Sequence, residues 1–303
     1  MTGGLTPHSS RLTPLRLTPH EPQMNKHIVC LTFDFDAISG FISRAQTTPG
    51  WISRGEFGPR VGAPRLLALL KKHGIATSWY VPGHTIETYP DAVKAVVDAG
   101  HEIAHHGWTH RPPASLTREQ EEEELVRGNE AIRKISGSYA RGYRSPSWDL
   151  SPHSVELMLK HGFVYDSSMM GDDYTPYYAR QGDVIELERA AQFGNRSALV
   201  EMPIHWSTDD SPHFEFVRTE QSVRQGLKNA REVEDNWFND FLYMREAVEW
   251  GVLTYTCHPF IIGRGHRIMM LERLIERMKE QGATFQRVDE TVEEFRQRPP
   301  TSA

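Results

Sequence analysis

Residues 27–36, HIVCLTFDFD, alternate apolar and β-branched positions and then end in two acids on either side of Phe35. That pattern predicts a buried strand that delivers carboxylates at its carboxyl end. A different period follows. APRLLALLKKHG carries Pro64 in its first turn and Gly74 at its end, which predicts a helix leading into a strand over residues 76–81. The same unit recurs four times: DAVKAVVDAG leads through Gly100 into HEIAHH, SVELMLKHG through Gly162 into FVYDSS, FLYMREAVEWG through Gly251 into VLTYTCH, and RLIERMKEQG through Gly282 into ATFQRV. Helices alternating with strands through short connections imply a parallel sheet with crossover helices. Steady winding in one direction predicts an α/β barrel, with a doubly wound open sheet as the alternative.

Three stretches depart from the repeat. Thr117 with Gln120 forms a capping box ahead of REQEEEELVRGNEAIRKISG, an amphipathic helix whose acidic run reads as a solvated face. Between residues 170 and 239 the period loosens around one strand, ALVEMPIHW, and these long connections are expected to shape a substrate rim. LTP occurs three times, at Leu5, Leu12 and Leu17, without helical or strand period, so residues 1–24 read as an extended tail before a single domain over 25–298.

Composition narrows the partners. With 34 basic against 40 acidic side chains the net charge is −6, which argues against nucleic acid or an anionic membrane as partner. A small neutral or cationic substrate suits it better. Apolar runs fall short of a membrane span, and Cys30 and Cys257 each sit in a strand-like stretch, so the expectation is a cytoplasmic protein with packing thiols.

Polar residues gather where the strands should end. In HEIAHHGWTH, His106 and His110 are four apart, a spacing that on a helix or helical turn puts both imidazoles on one face. Such a pair is often an ordinary surface or capping pair, but Asp36 offers a third, anionic ligand for a divalent metal with a coordination position left for water. Water on that ion would have a lowered pKa. Asp34 is then assigned as general base and Arg144 as the bidentate partner of its carboxylate, with a structural ion pair as the alternative. His258, fixed by Pro259, suits a general acid that protonates a leaving amine, and Asp166 could hydrogen-bond one of its ring nitrogens. Trp148, Trp206, Asp209 and Asp210, with Trp79, are candidate pocket walls, although core packing is the ordinary fate of a single tryptophan.

Taken in order, TFDFD ending at Asp36, HGWTH from His106, RSPSW from Arg144, YDSS from Tyr165 and His258-Pro259 resemble the polysaccharide deacetylase family, also called the NodB-homology or carbohydrate esterase 4 family, across roughly residues 27–290. The resemblance implies a distorted, incomplete (β/α) barrel and metal-dependent hydrolysis of an acetamido or related amide bond. It places the base on Asp34, a metal ligand on Asp36 and the acid on His258. Phe35 is a departure, because the family's first motif has its two aspartates adjacent. The chain looks most like an intracellular branch that includes cyclic imide hydrolases and allantoinase-like enzymes. That branch implies a homo-oligomer, a small cyclic imide or amide as an alternative to an N-acetylated sugar, and a substrate or loop-ordering role for Arg264 in GRGHR. Zinc is the default metal, with cobalt, nickel, manganese or iron also suited to two imidazoles and one carboxylate. Two readings of other classes stay open: a non-haem Fe(II) oxygenase on the same triad, and a silent sugar- or ligand-binding module.

Overall fold

The alternating run becomes strand β1, Lys26–Asp34, at the centre of a computed structural model that describes residues 25–218 and 223–299. The expected tail lies outside the described residues. Alternation sends Ile28 and Cys30 to one face, where they meet Tyr80, Ala104, Tyr165, Val200 and Val252. Val29, Leu31, Phe33 and Phe35 point to the other, against Leu66, Leu70, Val93 and Val96.

Among the described residues ten further strands follow: β2 Ser78–Val81, β3 Glu102–His105, β4 Gly142–Tyr143, β5 Tyr165–Asp166, β6 Tyr177–Gln181, β7 Asn195–Glu201, the small hairpin of β8 Val217–Arg218 with β9 Val223–Arg224, then β10 Trp250–Cys257 and β11 Thr284–Phe285. The main sheet runs β10-β1-β2-β3-β4-β5-β7-β6, parallel throughout except that β6 is antiparallel to β7. β11 flanks the start of β1, at Ile28 and Val29, on the side whose end pairs with β2. Successive strands are neighbours and the late strand β10 returns beside β1, which is barrel winding and rules out the doubly wound alternative. The barrel is incomplete. β6 and β10 are its edges, and the seam is crossed by a hydrogen bond from the Val252 amide to the Tyr174 carbonyl and by a bridge between Asp209 and Thr256.

Helices cover the outer face: α1 Ala63–His73, α2 Pro90–Asp98, α3 Arg118–Ser136, α4 Ser154–Lys160, α5 Ala230–Ala247 and α6 Gly265–Glu280, while α7 Val288–Gln297 closes the base of the barrel with Val288 and Val292. α1 ends as the sequence predicts, with Gly74 left-handed at φ +63. The capping box of Thr117 and Gln120 forms on α3. Two expectations fail. Gly251 caps nothing: α5 stops at Ala247 and Gly251 lies inside β10, where a Cβ would meet Val248 and Met244 at 2.6 and 3.0 Å. The acidic run of α3 is only partly solvated, since Glu121 and Glu124 are buried. No helix among the described residues is long and apolar enough to cross a membrane.

Candidate active site

The carboxyl ends of the parallel strands converge on one cavity of about 370 Å³. Asp34 is the last residue of β1 and Asp36 lies two further on, so the two-residue period that buries Phe35 against Trp79 turns both acids inward. In extended backbone, adjacent acids would have pointed apart; Phe35 is the spacer that brings these two together. His106 Nε2 lies 3.4 Å from Asp36 Oδ1 and 3.8 Å from Asp34 Oδ2, and His110 Nε2 lies 3.4 Å from Asp36 Oδ2.

No helix carries the two histidines. His106 follows β3, and the chain turns through Gly107 at φ +70 and His110 at φ +61, so an irregular turn, not a helical face, folds the second imidazole back onto the first. The Glu124 carboxylate from α3 holds that turn, accepting the Trp108 and Thr109 amides at 2.6 and 3.2 Å and the Arg111 guanidinium at 2.7 Å. His106 Nδ1 donates to the Arg144 carbonyl at 2.7 Å, which leaves Nε2 as the free lone pair.

His106 Nε2 and Asp36 Oδ1 are buried without a hydrogen-bond partner, and one donor atom each from Asp36, His106 and His110 fits within 4.8 Å of the others. Orphaned donors facing one another in this way fit a divalent cation. Burial alone would raise the pKa of Asp36, but His110, His106 and His258 around it hold it well below the usual carboxylate range. Burial lowers His110 to about 4, which keeps it a neutral donor near pH 7.

Arg144 is fully buried after β4 and donates through Nη1 to Asp34 Oδ1 and to the Thr32 hydroxyl, both at 2.8 Å, while its guanidinium lies over the Tyr80 ring at 4.0 Å. Across the cavity, His258 Nδ1 donates to Asp210 Oδ1 at 2.7 Å, and the His258 amide donates to Asp210 Oδ2 at 2.9 Å. His258 Nε2 is thereby aimed at the cavity, 3.9 Å from Asp36 Oδ2. Burial opposes a charge on His258, but Asp210, with Asp209 behind it, outweighs burial and raises its pKa well above the ordinary value.

Several expected positions differ. Asp166 does not reach His258; its Oδ1 accepts the Ser168 hydroxyl at 2.7 Å, and Asp210 takes the role instead. Asp210 is therefore a partner of the acid rather than a pocket wall. Trp148 and Trp206 do line the cavity, stacked at 4.0 Å, with Ser147 and Trp148 both left-handed. Trp79 is fully buried under Phe33 in the outer core. Arg264 lies apart, its guanidinium 3.6 Å over Phe57, lining a second cavity with Arg54 and Arg267. Phe41, Trp51 and Arg44 complete the rim without any motif to announce them.

A family model described as polysaccharide deacetylase matches residues 21–165. The chain is 35% identical over 286 residues to the peptidoglycan deacetylase of Helicobacter pylori, which spans 90% of this chain and 97% of that one. A crystal structure from Mycobacterium smegmatis, assigned to the polysaccharide deacetylases, superposes with a TM-score of 0.81 at 30% identity, covering 97% of this chain and 99% of that one. The crystal structure of PuuE allantoinase, at 19% identity, shares the fold with a TM-score of 0.71 over 97% of this chain and all of the other.

Proposed function

Since this chain belongs to the polysaccharide deacetylase family, we propose that it is a divalent-metal-dependent hydrolase of a non-peptide carbon–nitrogen bond, removing an acyl group from nitrogen. The observation that carries the reading is the opposition of Asp34, held by Arg144, and His258, held by Asp210, across the same buried donor set. Asp36, His106 and His110 would hold the ion, zinc by default, which when bound acidifies water and polarises a carbonyl. Asp34 takes the proton of the attacking water, and Arg144 fixes the direction in which that carboxylate faces. Asp210 at Nδ1, with Asp209 behind it, favours His258 as the imidazolium, whose second proton, on Nε2, goes to the departing nitrogen. This acid–base pair favours hydrolysis over dioxygen chemistry on the same three ligands, and over a silent binding module. We take residues 25–298 as one catalytic unit. The two buried free thiols, Cys30 and Cys257, support a cytoplasmic setting. Homo-oligomerisation rests on the family resemblance alone.

Pocket shape supports a second substrate reading. A cavity of about 370 Å³ walled by the Trp148–Trp206 stack is the size of a small-ligand site and suits one ring better than a polymer groove, so a small cyclic imide or amide stands beside an N-acetylated sugar. The test is a turnover assay on N-acetylated chitooligosaccharides and on cyclic imides, using metal-stripped protein reconstituted with zinc, cobalt or manganese. Acetate release or ring opening that needs the metal is the expected result. Silence under every metal, or strict dependence on dioxygen, would overturn it.

A further inference from the structure

We propose that Asp166 and Glu201 share a single proton, and that this pair is the positioning element that holds Arg144 against Asp34. Its catalytic consequence rests on the reading of Asp34 as base; the shared proton does not.

The two residues sit opposite each other where β5 and β7 pair, and both side chains are fully buried. Glu201 Oε1 accepts the amides of Ser168 and Met169 at 2.9 and 2.8 Å. Asp166 Oδ1 accepts the Ser168 hydroxyl at 2.7 Å. One oxygen of each acid, Asp166 Oδ2 and Glu201 Oε2, has no hydrogen-bond donor among the described residues. Opposite each other in register, with one donorless buried oxygen apiece, two acceptor-only carboxylates satisfy those oxygens only by placing a proton between them. Glu201 is the better carrier. Its Oε1, with two backbone amides, behaves as the carbonyl of a neutral acid, and its Oε2 then donates to Asp166. Burial, and then the charge of Asp166, push Glu201 well above the carboxylate range; burial lifts Asp166 to about 6 against the hydrogen bonds that lower it. Arg144, Tyr143 and Tyr177 are the other titratable groups that face the pair.

From the pair the contacts run to the site in two steps. The Ser168 hydroxyl accepts the Ser145 amide at 2.8 Å, and Ser167 receives Arg144 twice, Nε on its carbonyl at 3.0 Å and Nη2 on its hydroxyl at 2.9 Å. With Ser145 and Ser167 fixed, the guanidinium has one remaining corner, and that corner holds Asp34. The proton on Glu201 thus lets two acids lie side by side under a catalytic arginine without drawing it away.

Sign follows from the direction of the shifts. Both acids have folded-state pKa values raised above their unfolded ones, so the stability they supply is complete below the unfolded values and is lost as pH rises through the folded ones. The experiment compares wild type with E201Q and E201A. An infrared difference spectrum of wild type minus E201Q at neutral pH is expected to contain the carbonyl band of a protonated carboxylic acid; loss of carboxylate bands alone would overturn the shared proton. The melting temperature of wild type is expected to fall more steeply than that of E201Q between about pH 5 and pH 9, because glutamine keeps the hydrogen bond without a proton to lose. On an N-acetylated chitooligosaccharide or a cyclic imide, E201A is expected to lose kcat by roughly tenfold to a hundredfold with KM little changed, and E201Q to recover most of it. E201Q as impaired as E201A, or E201A affecting only melting, would refute the positioning role. If wild type turns over neither probe, the hydrolase reading fails separately and the infrared result still decides the proton.

Discussion

At the scale of single residues, the site divides side chains of the same type into different tasks by their neighbours. Asp34 and Asp36 are two residues apart, yet one is bonded to a guanidinium and the other is ringed by three imidazoles. Asp34→Asn keeps the shape and the donor set but removes the base, so kcat should fall by about 10² to 10⁴ while bound metal, measured by elemental analysis, stays at the wild-type level. His106→Ala should lose both. An Asp34→Asn protein with full turnover would remove the base assignment. How far these roles could be read from sequence depends on distance along the chain. That Asp36, His106 and His110 come together was legible from residue type and place at the strand ends, although the four-residue spacing of the histidines is not a helical face. Asp210 was not. It lies 48 residues before His258, on a connection without period, and no local pattern marks it as the orienting acid in preference to Asp166. Trp79 and Arg264 show the reverse failure, since a tryptophan near a strand end and an arginine after a motif look the same in sequence whether they face the site or the core.

At the scale of elements, the strands are governed by local pattern and the turns between them by long-range contacts. Alternation in β1 and the left-handed glycines after α1 and α2 could be read directly, because period and backbone conformation are local properties. The turn from His106 to His110 could not, because its conformation depends on a carboxylate from α3, hidden in the run EEEE, where nothing local separates Glu124 from Glu121, buried against Ser151 and Ser154, or from its two other neighbours. That dependence is testable. Glu124→Ala leaves the buried amide of Trp108 and that of Thr109 without their acceptor, a cost of about 1–3 kcal/mol for a buried unpaired group, and frees His110 to move. Affinity for zinc, measured by competition with a chelator, should weaken roughly tenfold to a hundredfold, the usual effect of removing an outer partner of a ligand. Glu124→Gln should fall between, since its carbonyl can still accept. Unchanged zinc affinity in Glu124→Ala would show that the turn holds itself.

At the scale of the whole molecule, the chain's two ends are joined by the pairing of β10 with β1, while the open seam between β10 and β6 is spanned near the rim that carries the site. Among the described residues β10 and β6 do not pair, and the seam is bridged by the main-chain hydrogen bond at Tyr174 and by the segment that carries Asp209 and Asp210. Beyond the direct pairing of β1 with β10, elements distant in sequence also meet at the site: Asp36 follows β1, the turn after β3 supplies His106 and His110, and His258 after β10 stands beside them. An ion held by those donors would cross-link the first strand to the third, and because the unfolded chain scatters the same donors, binding would stabilise the fold by mass action. At free metal one hundred times the dissociation constant the gain is about 2.7 kcal/mol, and at one thousand times about 4.1. For a domain somewhat larger than 250 residues, where each 1 kcal/mol shifts the melting temperature by no more than about 2–4 °C, stripping the metal should lower it by several degrees and re-adding zinc should restore it. His106→Ala should already melt near the stripped value and gain nothing from zinc, while Asp34→Asn should respond like wild type. A wild-type melting temperature indifferent to chelator and to every added divalent ion would mean that the buried acid and imidazoles are a structural cluster, and the metal-dependent part of the functional reading would fall with it.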